Sequence, residues 1–262
     1  MRNMAISLLF SAAMIMSNAS AQPVTLKQVG KTNDYFQMYL PVRYNGALYS
    51  FNSGALYKTD LSSGVLSRLG NSVYTNIRFF FAIYNRLYII ETDGSMLSID
   101  THTGDRKPES SIGAWLNVMQ VIVVGNSFYS FENGVFYHHT ALHPDKRKQT
   151  GRDEFYNLGT LYRTDYKLYS IIDGVFYEIN TGTGEWKKIS KAKSWKSVRS
   201  GAVLNDKFYS VETDGFLYET TLADGAKKVL DKTQFIKGGF LFAEGGRLYI
   251  IIEGTLNEII IS

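Results

Sequence analysis

Cysteine is absent from the 262 residues. That excludes disulfides, thiolate metal sites, a cysteine nucleophile and a lipidated cysteine anchor. Beyond residue 21 no stretch sustains a helical hydrophobic period, so no amphipathic helix is expected. Helix-turn-helix, zinc-finger and RNP patterns are missing, as are phosphate-loop glycine spacing and an EF-hand loop. Charge is modest, with 28 Lys and Arg against 24 Asp and Glu. Basic clusters such as Lys146-Arg147-Lys148 and Lys187-Lys188 read as solvated strand faces, and no nucleic-acid partner is expected. His138 and His139 are neighbours on one expected strand and point to opposite faces. With His143 they do not form the convergent set that zinc requires, so no metal and no cofactor is expected.

The one long apolar run lies at the start, Ala5 to Met16, behind Arg2 and ahead of Ala19-Ser20-Ala21. A charged residue, an apolar run too short to span a bilayer and an Ala-x-Ala site predict a signal peptide over residues 1–21. The expected mature chain, residues 22–262, is a single exported domain, secreted or periplasmic, with no membrane span. About 240 residues bury enough surface to fold without a covalent staple.

What fills that domain is a repeat. A Leu/Phe-Tyr pair stands at Leu48-Tyr49, Leu87-Tyr88, Phe128-Tyr129, Leu168-Tyr169, Phe208-Tyr209 and Leu248-Tyr249, with intervals of 39, 41, 40, 40 and 40 residues. Each unit parses into an apolar segment, the Leu/Phe-Tyr segment, a third segment such as "VFYEIN" and a charged last one such as "EWKKIS". Gly, Asn and Asp punctuate them every eight to twelve residues, the signature of short antiparallel strands. A fixed period near 40 means a closed ring or an array. The last unit ends at Ser262 without a fourth segment, and "PVTLKQVG" supplies one at the other end. The fold class predicted is therefore all-β: a six-bladed β-propeller of four-stranded antiparallel blades. Val24 to Val29 close the ring, which removes exposed sheet edges.

The stretch Asn45-Gly46-Ala47-Leu48-Tyr49-Ser50-Phe51, followed four residues later by Leu56-Tyr57-Lys58, resembles the blade core of tachylectin-2 and tectonin-type propellers. Trp195 ahead of "SVRSGAV" is similar in the same way, although the Trp-rich outer strand of those lectins has no counterpart here. The resemblance implies a propeller.

Thirteen residues before each pair stands an aromatic: Tyr35, Tyr74, Trp115, Phe155, Trp195 and Phe235. Two residues further on stand Gln37, Asn76, Asn117, Asn157, Ser197 and Lys237; four further on, Arg78 and Arg199 occur. In a meander these positions share one face of the ring with the turns between second and third strands, which carry Asn52, Glu91, Asp93, Glu132, Asp173, Glu212, Asp214 and Glu253. Flat rings beside amides suit a sugar, and the candidate ligand residues are Trp115, Trp195, Tyr35, Tyr74, Asn76, Asn117, Asn157, Arg78, Arg199 and Lys237. The competing expectation is that the aromatics are wedges between blades and the acidic turns only hairpin chemistry. The function expected is non-enzymatic binding of a glycan or an extracellular or envelope protein by a monomer or weak oligomer. The alternatives are a hydrolase or lactonase using channel-mouth carboxylates and a divalent ion, and a structural scaffold that docks proteins.

Overall fold

The computed structural model describes residues 24–152, 154–190, 194–232 and 235–262. The expected signal segment and the proposed cleavage site lie outside them. Six four-stranded antiparallel sheets follow one another around a ring. The inner strands are Tyr39–Tyr44, Ile77–Ile83, Val118–Val124, Leu161–Arg163, Val198–Leu204 and Gly238–Glu244, opening blades 1 to 6 in order. Blade 6 takes its outer strand, Val24–Gln28, from the other end of the chain; it pairs with Thr255–Ile261 from Val24 opposite Ile261 to Gln28 opposite Asn257. Val29 extends the contact through its backbone N–H, which donates to the Leu256 carbonyl at 2.9 Å.

The repeated pair has a direct physical reason. Adjacent strand residues point to opposite faces, and each second strand lies between two neighbouring blades. Leu87 packs in the interface with blade 1 while Tyr88 packs in the interface with blade 3. Phe208 and Tyr209 divide the same way between the interfaces with blades 4 and 6. One large apolar residue for each side, repeated six times, builds six cores in a circle. The outer strands close the gradient: Arg147–Gln149 is exposed along its whole length.

The turns between second and third strands are tight. Asn133 and Gly134 both have positive φ, 49° and 80°, as a two-residue hairpin turn twisting with its strands requires. Gly134 is needed for a second reason, since a Cβ there would lie 2.5 Å from the Tyr156 ring of the next blade.

Candidate functional site

The ring has an upper face, carrying those turns and the starts of the inner strands, and a lower face, carrying the turns between first and second strands. On the upper face the six aromatics are wedges. Tyr35, Tyr74, Trp115, Phe155, Trp195 and Phe235 are all buried, one in each of the six inter-blade cores. The backbone N–H of Tyr74, Trp115, Phe155, Trp195 and Tyr35 donates to the turn glycine carbonyl of the preceding blade, at 2.8, 2.9, 2.8, 3.2 and 3.0 Å respectively. This corrects the expectation of an aromatic platform: Trp115 and Trp195 are each 1 % exposed and offer no ring face to a ligand. Tyr35 and Tyr74 are enclosed in the same way. Closing a ring of sheets leaves a wedge-shaped gap between each pair, and a large flat side chain fills it better than a solvent-facing role would permit.

The two arginines are also structural. Arg78 donates from Nη1 to the Leu116 carbonyl at 2.8 Å and from Nη2 to that of Val118. Arg199 repeats the fork on Ile236 and Gly238, at 2.8 and 3.1 Å. Each ties its blade to the backbone of the next, using the planar donor geometry that lysine lacks. Two donors of each guanidinium are thus engaged by the next blade, while Arg199 remains exposed.

Of the polar row, Gln37 accepts from Ser53, Ser197 donates to Glu212 at 2.8 Å, and Lys237 pairs with Glu253 at 2.5 Å, each within its own blade. Asn76, Asn117 and Asn157 are exposed. Several of the turn carboxylates are held locally too. Glu132 and Glu212 are buried and paired with Arg147 and Lys227, Asp93 accepts from Ser95 at 2.7 Å, and Asp214 from the Tyr218 hydroxyl at 2.6 Å. Among the described residues no group of three or more His, Asp or Glu is placed to hold a metal ion, and no helix is long and apolar enough to cross a membrane.

The sequence pattern missed the residue after each wedge. Phe36, Leu116, Tyr156 and Ile236 are 74, 52, 59 and 64 % exposed. They lie over the turn glycines Gly254, Gly94, Gly134 and Gly215 of the preceding blades. Tyr39 and Met119 add exposed apolar surface nearer the axis. The signal was available: the buried aromatic sets the orientation, so its neighbour must face outward. Apolar residues at four such positions exceed the scatter of single exposed hydrophobics.

Beneath blade 3's upper turn lies a buried polar cluster. The Ser130 hydroxyl is 2.8 Å from both Glu132 Oε1 and His139 Nε2. Ser130, Glu132 and His139 are all buried, and Glu132 borders a cavity of about 360 Å³ that His143 and Arg147 also line. Burial holds the His139 pKa down to about 4, against the opposing pull of Glu132 and the His143 carbonyl. The folded state therefore keeps His139 neutral where the unfolded chain would protonate it. The sign follows: stability is full above pH 6.5 and falls as pH drops from 6.5 toward 4, by about 3 kcal/mol in all. Urea unfolding between pH 7.5 and 4.5 should show this slope in the wild type and a flatter one in His139→Gln. Parallel slopes would remove His139 from the account.

The six-bladed propeller is the class that this topology defines. Structures with the same fold include a gluconolactonase from Xanthomonas campestris (11% identity, TM-score 0.62, 92% of each chain covered). Regucalcin, a calcium-binding protein from Agrobacterium tumefaciens, aligns at 12% identity and TM-score 0.61 over 89% of this chain and 94% of its own. Virginiamycin B lyase from Staphylococcus aureus aligns at 12% identity and TM-score 0.55 over 87% and 82%. At such identities the likeness concerns the fold alone, and it does not bear on a tachylectin-2 or tectonin lineage. No protein-family model matches the chain. No curated protein matches it either.

Proposed function

We propose that the chain is an exported, non-enzymatic binding propeller whose upper face docks a protein partner. The observation that carries this reading is the set of exposed apolar side chains Phe36, Leu116, Tyr156 and Ile236, with Asn76, Asn117 and Asn157 as polar neighbours. Apolar anchors ringed by amides suit a protein interface. Of the flat rings that the sequence offered a sugar, Trp115, Trp195, Tyr35 and Tyr74 are all buried, and the exposed Phe36 and Tyr156 stand in one row with the aliphatic Leu116 and Ile236. Glu132, Glu212, Asp93 and Asp214 are each tied to their own blade, and no observation favours the hydrolase or lactonase alternative. Fold likeness to a lactonase and a lyase does not choose a function.

The test is crosslinking and co-purification from the native source, with a glycan array run in parallel on the same protein. Tyr156→Ser combined with Ile236→Ser should lower recovery of a specific partner by about tenfold, while lower-face Tyr166→Ser leaves it unchanged. Equal recovery from the wild type and the double variant would overturn the docking surface. A selective glycan signal lost in the double variant would return the reading to sugar.

A further inference from the structure

Five residues before each Leu/Phe-Tyr pair, the inner strands place one residue per blade at a single level of the central channel: Arg43, Ala82, Val123, Arg163, Val203 and Ala243. All six line both an apolar cavity of about 250 Å³ above and a vestibule of about 780 Å³ that opens on the lower face. Four are small and apolar. The arginines belong to blades 1 and 4, which stand opposite each other in a ring of six.

Their surroundings differ. Arg43 Nη1 is 3.1 Å from Glu244 Oε2, and Glu244 Oε1 also accepts from the Gly46 N–H at 2.9 Å. Arg43 reaches the Arg163 carbonyl at 3.5 Å. The Arg163 guanidinium has no hydrogen bond or ion pair among the described residues. Asp165, exposed at the vestibule, acts on it only as a neighbouring charge, together with Glu244. Burial and the Arg43 charge hold the Arg163 pKa down to about 10, which leaves it protonated at neutral pH. The level thus carries two positive charges and one directly paired carboxylate, in a passage bordered above by the half-buried Pro41, Val121, Ile122, Leu161 and Phe240. A half-buried guanidinium without a partner is costly, and an anion seated on it offsets that cost.

We propose that the lower end of the channel binds a small monocarboxylate, its carboxylate on Arg163 beside Arg43 and its apolar body in the channel above. A carboxylate matches the planar fork of a guanidinium with two parallel hydrogen bonds. With Glu244 paired to Arg43 and Asp165 nearby, the site takes no more than a monoanion, and the apolar walls cannot solvate a dianion such as phosphate. This site lies on the opposite face from the proposed docking surface and does not depend on it.

Calorimetric titration of the mature protein at low salt tests the site with octanoate, octanol, inorganic phosphate, acetyl-Leu-Leu and the amide of that dipeptide. Octanoate should bind one to one with Kd below about 1 mM, and octanol and phosphate should bind at least about tenfold more weakly. Arg163→Met should weaken octanoate by about tenfold or more, and Arg163→Lys, which keeps the charge but loses the fork, by less. Upper-face Tyr156→Ser should leave octanoate unchanged. Tighter binding of acetyl-Leu-Leu that disappears on amidation would support the site and assign its carboxylate to a peptide C-terminus. Octanoate affinity equal in wild type and a folded Arg163→Met, or no octanoate binding up to about 10 mM, would overturn the proposal. Phosphate binding as tight as octanoate would overturn the part assigned to the apolar channel.

Discussion

Trp195→Ala should lower the unfolding free energy by about 3–5 kcal/mol while leaving the affinity of upper-face ligands unchanged in the fraction that folds. The indole is 1 % exposed, fixed between blades 4 and 5 against Phe176 at a ring distance of 5.8 Å. Its Nε1–H donates to Thr220 Oγ1 at 3.3 Å, and Lys227 Nζ lies 5.9 Å from the ring. Truncation leaves a cavity that a ring closed by five other interfaces cannot collapse to fill. Trp115→Ala should cost a similar amount, because that indole is equally enclosed against Phe128 and His139. The two should separate when replaced by Phe. Trp115 Nε1 has no hydrogen-bond partner among the described residues, so Trp115→Phe removes an unsatisfied polar group, whereas Trp195→Phe strands the Thr220 hydroxyl. Urea unfolding of the four variants checks this ordering, and a loss below about 1 kcal/mol for either alanine variant would remove that side chain from the wedge role.

Deletion of Val24–Val29 should have a larger effect, roughly 5 kcal/mol from lost ladder hydrogen bonds and the exposure of Val24 and Leu26. That is comparable to the whole stability of many domains. The strand pairs over five residues with Thr255–Ile261, and Val24 is buried in the core between blades 5 and 6. Without it, Ile259, Ile260 and Ile261 lie on an open sheet edge, so aggregation should accompany the loss. A peptide of residues 24–30 added in trans should restore part of the melting temperature. An unchanged melting temperature in the deletion variant would show that the ring does not depend on this strand.

The architecture was legible in the sequence because its cause is periodic. Each Leu/Phe-Tyr pair buries one side chain on either side of a strand, and that need repeats wherever a blade has two neighbours, so the count of six and the borrowed strand could be read from spacing alone. The site was less legible. Trp115 and Trp195 fit either a stacking platform or a wedge, and only the closed ring, in which they fill the gap between adjacent sheets, decides for the wedge. Arg78 and Arg199 read as free donors until the next blade's carbonyls were placed within their reach. Arg43 and Arg163 lie 120 residues apart, and nothing in local pattern joins them. Each is one arginine on one inner strand, and only the ring geometry sets them at one level on opposite sides of a channel. Periodic burial is a local property of the chain, while the convergence of single side chains from distant blades is a property of closure.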